Sequence, residues 1–183
     1  MSDSVAAEGG RRSIPGALVD IHCARSGEVP LLHECDEDAS LGGRVLAEAL
    51  AERACWVAFF HERAVGYVAL QHTFFGSGRI TRLAVHPAFR RRGIGSLLLA
   101  FAEDRCQSAQ LFVSVQRTDR PMRDLLRQRG YRRSGMDDLS YETDQVVVYA
   151  KRVTVGGADS IAREERGVAA RAEAGIIAAS FRP

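Results

Sequence analysis

Leu83-Ala84-Val85-His86-Pro87-Ala88-Phe89-Arg90-Arg91-Arg92-Gly93-Ile94-Gly95-Ser96-Leu97-Leu98-Leu99 decides how this chain is read. It describes a strand, a tight basic turn and a helix. Ile80, Leu83 and Val85 supply the apolar strand, and Pro87 stops the pairing because it has no N–H for a ladder. From Ile94 the apolar residues recur as Ile94, Leu97, Leu98, Phe101 and Ala102, which is helical spacing. Three arginines and two glycines lie between, with no carboxylate from His86 to Ala102. The first turn of a helix carries unpaired N–H groups and the positive end of the dipole. Gly93 and Gly95 admit a ligand close to the backbone, and the arginines add charge that no ordinary pH removes. The stretch therefore predicts an anion site, most simply for a phosphate or pyrophosphate.

The bulk properties agree with a single small domain. The chain has 183 residues, 46% of them hydrophobic, which is enough for a core. No apolar run reaches the roughly 20 residues of a membrane span, and the N-terminus shows no apolar segment of a signal peptide. Cys23, Cys35, Cys55 and Cys106 match no metal-ligand spacing, so no metal is expected. They read as free, mostly buried thiols of a reducing cytoplasm. The net charge of +2 conceals a division: residues 79–133 carry thirteen basic and four acidic side chains, while both flanking segments are net acidic. All but one of the basic residues are arginine, which grips phosphate oxygens two at a time.

Residues 1–13 are small and polar and read as disordered. Ala17 to Ile21 is a first strand. Residues 36–53 read as a helix, capped by Asp38 or Ser40, with Leu41, Val45, Leu46, Ala49 and Leu50 as its apolar stripe. Cys55–Phe60 and Val65–Leu70 form a hairpin across the turn His61–Ala64, and Gly76–Gly78 turns into a third strand, Arg79–Val85. The helix after the basic turn ends near Ser108. Leu111–Val115 is a strand covered on both faces. Asp119 caps the next helix, with Pro121 in its first turn, Met122, Leu125 and Leu126 inward, and Gly130 just past its end. Tyr131–Gly135 and Val146–Ala150 complete the strands. This order predicts an α+β fold, a mixed and mainly antiparallel central sheet flanked by helices in three layers.

These residues resemble the GCN5-related N-acetyltransferases. The family's diagnostic element is a strand followed by Gln/Arg-x-x-Gly-x-Gly/Ala opening a helix, here Arg90-Arg91-Arg92-Gly93-Ile94-Gly95. A second match is Leu111–Val115 followed by a capped helix and Arg129-Gly130-Tyr131. The resemblance covers residues 15–153, leaving a flexible N-terminal stretch, 1–14, and a tail, 154–183, helical or disordered. It implies the acyl-CoA N-acyltransferase fold and acetyl-CoA as co-substrate. It implies that the backbone of Leu83, Ala84 and Val85 pairs with the pantetheine arm. It places Arg90, Arg91, Arg92, Gly93, Ile94, Gly95 and Ser96 around the pyrophosphate. Asp119 stands where the family often has a cofactor-touching asparagine, and an ionised carboxylate cannot donate a hydrogen bond. Leu126 stands where the family often has the tyrosine that protonates the leaving thiolate.

The implied reaction is direct transfer of an acetyl group to a primary amine of a small molecule or protein, with a backbone N–H, that of Val85, polarising the thioester carbonyl. No catalytic residue is assigned. His72, His86, His61, Glu62, Tyr141 and Cys106 are the candidates weighed, and each reads more simply as a surface, turn or core residue. Two other readings are carried: an acyl-CoA-binding sensor with weak catalysis, and an arginine-rich nucleic-acid-binding surface. Phe89 is the only aromatic residue beside Arg90–Arg92, which favours a small cofactor over nucleic acid. No membrane partner is expected, and pairing through the tail or an edge strand would make a homodimer.

Overall fold

The computed structural model describes residues 10–14, 17–36, 39–74, 76–134 and 146–155. The fold is α+β, with a mixed, mainly antiparallel sheet flanked by helices. The strands are β1 (Gly10–Ile14), β2 (Ala17–Cys23), β3 (Cys55–Phe60), β4 (Arg63–Phe74), β5 (Ser77–Val85), β6 (Gln110–Gln116), β7 (Arg132–Arg133) and β8 (Val146–Arg152). The helices are α1 (Val29–Cys35), α2 (Ala39–Ala51), α3 (Ile94–Arg105) and α4 (Arg120–Gln128). The chain divides into two compact units, Met1–Ala69 with Arg82–Leu99, and Leu70–Thr81 with Ala100–Pro183.

In the first unit β1, β2, β3 and β4 pair antiparallel in sequence order. Tyr67 on β4 opposes Val57 on β3, which opposes His22 on β2, so these three share a face. That face buries Cys55, Val57, Tyr67, Ala69 and Ala84 against Leu32 and Cys35 of α1 and Leu46 and Ala49 of α2. Gly66 on β4 lies against Ala84 of β5. A Cβ there would come within 2.6 Å of the Ala84 carbonyl oxygen.

In the second unit β5 pairs parallel with β6 over Gly78↔Leu111, Arg79↔Phe112 and Ile80↔Val113. β6 pairs antiparallel with β8, and β8 with β7. Gly78 sits directly against the Cys106 sulphur, with no room for a Cβ. Glu103, 9% exposed, accepts from Arg129 at 3.0 Å and Lys151 at 2.8 Å, so the last turn of α3 is tied to α4 and β8 by charge.

The hairpin, the basic turn and the strands on either side of it lie close to where the periodicity puts them, although β4 begins at Arg63 and runs to Phe74, β5 begins at Ser77, and of the strand expected over Tyr131–Gly135 the described residues show only Arg132–Arg133. Four further differences have physical reasons. Gly10–Ile14 form β1, because a strand at the end of a hairpin is held by backbone bonds that a polar composition does not forbid. Val29–Cys35 form α1, too short and too close to Gly27 and Pro30 to read as a helix. The helix expected from 36 starts at Ala39, because Asp36 is extended after α1 (φ −123°, ψ 105°). Asp38, one of its two expected caps, lies outside the described residues. α3 stops at Arg105, where the Gln107 N–H donates to His72 Nε2 at 3.0 Å. Residues 135–145 and the tail from 156 also lie outside the described residues. No helix among the described residues is long and apolar enough to cross a membrane.

All four cysteines are free, with Cys35, Cys55 and Cys106 buried and Cys23 part-exposed. Burial pushes the Cys35 thiol up to about 11, helped by Glu34 and Asp36, and the Cys55 thiol up to about 12. Alkylation of the native protein should therefore modify Cys23 well before the other three, as read by mass spectrometry. The unfolded chain ionises its thiols from about 9 while the folded chain holds these protons. The stability they contribute should thus be complete below pH 9 and decline from there towards pH 12, as read by urea midpoints across that range.

Candidate functional site

The site is built at the carboxyl end of β5. After Val85 the chain enters a short 3-10 turn, Pro87–Phe89. His86 caps it: Nδ1 accepts from the Ala88 N–H at 3.2 Å, and the His86 N–H donates to the Val65 carbonyl at 3.0 Å. The other ring nitrogen, Nε2, lies 3.3 Å from Arg63 Nη2. His86 thus shapes the turn.

The three arginines divide their work. Arg90 turns back, and its Nε donates to the Val85 carbonyl at 3.2 Å. The Arg92 guanidinium lies 5.4 Å from the centre of the Phe89 ring, and that of Arg63 lies 5.5 Å from it. Phe89 also meets Phe60 and His86 edge to face. Two cations on one ring hold Phe89 as the hub of the turn. Arg91 is different. It is exposed, has φ 62°, and makes no hydrogen bond, ion pair or ring contact among the described residues.

Gly93 follows with φ 84°, a conformation glycine adopts at no steric cost. Its carbonyl accepts from the Leu97 N–H at 3.0 Å, which makes Gly93 the residue before α3. The N–H groups of Ile94, Gly95 and Ser96 are then the first-turn donors that have no partner within a helix. Ile94 and Leu98 are buried beneath them and fix the direction of the helix. The strand segment Leu83, Ala84 and Val85 lies in the same unit, along β5 beyond the end of the β6 ladder. Within this unit the structure therefore gathers Leu83–Val85 and Arg90–Ser96 on one continuous strand–turn–helix.

Asp119 belongs to the second unit. Its Oδ1 accepts from the Met122 N–H at 3.0 Å and caps α4, with Pro121 in the first turn and Gly130 (φ 82°) past the end. Leu126 is fully buried core. His72 Nε2 already accepts the Gln107 N–H. His61 (φ 54°) and Glu62 are exposed in the β3–β4 turn. Cys106 is buried, which raises its thiol pKa, and its Sγ donates to the Ser108 carbonyl. Tyr141 lies outside the described residues. No three His, Cys, Asp or Glu side chains among the described residues are grouped to hold a metal ion.

One cluster escaped the sequence reading. Asp36 accepts from Tyr67 Oη at 2.7 Å, Arg82 Nε at 2.6 Å and Arg82 Nη2 at 2.5 Å. The available signal was period two: Arg82 shares its strand face with Ile80 and Ala84, both buried, and an inward arginine requires a carboxylate.

The cap predicts a separable effect. Asp119→Asn should keep the urea midpoint near that of the wild type, whereas Asp119→Ala should cost about 1 kcal/mol in the same titration.

The family model described as "Acetyltransferase (GNAT) family" matches residues 24–131, which include the strand, the turn and α4. No curated protein sequence matches the chain. Among solved structures, a GNAT-family acetyltransferase from Bacillus cereus is 19% identical with TM-score 0.65, and the match covers 74% of this chain and 98% of that one. The ribosomal-protein-S18-alanine N-acetyltransferase of Escherichia coli is 17% identical with TM-score 0.61, covering 77% of this chain and 97% of that one. A putative acetyltransferase of Salmonella typhimurium, solved with acetyl-CoA, is 16% identical with TM-score 0.61, covering 76% and 96%. At such identities these structures establish a shared fold. With its family model spanning more than half of the sequence, this chain belongs to the GNAT family of acetyltransferases.

Proposed function

We propose that this chain is an acetyl-CoA-dependent N-acetyltransferase that moves an acetyl group directly to a primary amine of a small molecule or peptide. The observation that carries this reading is the turn itself. Within the family match, a strand end leads through left-handed Arg91 and Gly93 into a helix whose first N–H groups have no helical partner. That shape suits a diphosphate, which presents several acceptor oxygens and needs backbone donors without a Cβ in the way. The domain that does this is 15–153, with 1–14 and 154–183 flanking it. The free thiols suit the cytoplasm.

Acetyl-CoA supplies an activated acyl group on a thiol that leaves without strong assistance. The chain's own residues do the rest. Leu83, Ala84 and Val85 would offer strand backbone to the pantetheine amides, and the Val85 N–H would be the donor that stabilises charge on the thioester oxygen. The donors of Ile94–Ser96 hold the diphosphate, and Arg91 adds an exposed cation. Asp119 caps α4, its Oδ1 accepting from the Met122 N–H. Holding donor and amine in line provides rate by orientation. No general acid is assigned, since Leu126 is buried and apolar. The same residue favours a second reading, an acyl-CoA-binding sensor. Thiol release with a panel of amines separates the two, because a sensor binds acetyl-CoA and releases no thiol above background. Phe89 is the only aromatic residue beside Arg90–Arg92, which counts against a nucleic-acid surface.

Two variants test the turn by calorimetry with acetyl-CoA. Gly93→Trp should abolish binding while the circular dichroism of the fold persists; binding that survives places the cofactor elsewhere. Arg91→Gly keeps the backbone donors, relieves a left-handed residue and removes one guanidinium. It should raise stability by about 1 kcal/mol. It should also weaken binding several-fold at low salt, with the difference shrinking as salt screens the charge.

A further inference from the structure

The Asp36 cluster has more geometry than stability requires. Asp36 is 9% exposed and Tyr67 is 1% exposed, and one carboxylate accepts three short hydrogen bonds from β4 and β5. The Asp36 carboxylate is buried and the Arg82 side chain is 23% exposed; ion pairs taken out of water are often replaced by well-packed apolar side chains with no loss of stability. What apolar side chains cannot reproduce is direction. The guanidinium fork fixes both the distance and the plane of Arg82 relative to Asp36.

Its position along β5 gives that direction a use. Arg82 is peptide-bonded to Leu83, the first residue of the Leu83–Val85 segment. Ala84 packs in the same buried cluster as Cys35 and Tyr67. Gly66 leaves no slack beneath the Ala84 carbonyl. On the other side, Asp36 is the extended residue that closes α1, its N–H donating to the His33 carbonyl at 3.2 Å. The carboxylate therefore joins the end of α1 to the start of the segment.

We propose that Asp36 is a positioning residue for the cofactor strand: through Arg82 and Tyr67 it sets the backbone of Leu83–Val85 and couples that segment to the carboxyl end of α1. The proposal rests on the reading of Leu83–Val85 as the segment that pairs with pantetheine. Because coupling is reciprocal, a ligand held by the segment tightens the last turn of α1 by the same free energy with which the clamp aids the ligand.

The experiment uses the full chain, with coenzyme A as the probe. Calorimetry gives its Kd, thermal unfolding gives Tm, and amide exchange reports the last turn of α1 with and without coenzyme A. The double variant Asp36→Leu/Arg82→Met should keep Tm within a few degrees of wild type, bind coenzyme A about tenfold more weakly, and lose the added protection of α1. A Kd within about twofold of wild type at matched Tm overturns the proposal, since a merely structural pair would leave binding unchanged. If the double variant does not fold, Tyr67→Phe and Arg82→Lys decide: weakening of about threefold or more in either supports the clamp, and smaller effects in both overturn it. Wild-type protein that fails to bind coenzyme A overturns the cofactor reading itself, which separates that failure from failure of the clamp.

Discussion

A guanidinium turned inward must find a carboxylate, because an unpaired buried charge costs far more than any packing around it returns. In the first unit Arg82 meets that demand with Asp36, and much of the local architecture follows. Asp36 leaves helical geometry to reach it, which ends α1 and delays α2 to Ala39. Tyr67 gives its hydroxyl to the same carboxylate, and burial followed by that hydrogen bond raises its pKa, so it stays a neutral donor. The cluster that contains Tyr67 and Ala84 then packs against both helices.

The basic turn obeys a different constraint. Like charges crowded into a short loop repel unless each has somewhere to go. All three are exposed, but Arg90 donates to a backbone carbonyl and Arg92 lies over the face of Phe89, while Arg91 stands in a backbone conformation that disfavours side chains. The turn is thus a scaffold made largely of its own arginines.

The second unit shows the same economy. Its only lysine, Lys151, shares Glu103 with Arg129, and the Lys151 ammonium lies 5.4 Å from the centre of the Tyr131 ring. Burial raises the Tyr131 pKa, with Glu103 adding to the effect, which keeps the phenol neutral beside these charges. Tyr131 and Leu126, both within the family-matched residues, are buried.

Short-range physics wrote a large part of this protein into its sequence. The strand ended by Pro87, the glycine-assisted entry into α3, the Asp119 cap and the Gly130 exit all depend on neighbours a few residues apart. They were therefore legible from spacing and residue type, and the same stretch carried the family. The fold class followed because alternation and helical periodicity report which faces are buried. The tertiary structure decided what depends on distant partners. Asp36 and Arg82 lie 46 residues apart, and no local pattern says which inward arginine meets which acid. The separate fates of Arg90, Arg91 and Arg92, identical as letters, were set by the Val85 carbonyl and the Phe89 ring. β1 and α1 formed because sheet edges and adjoining helices are stabilised by the surfaces they cover rather than by their own propensity.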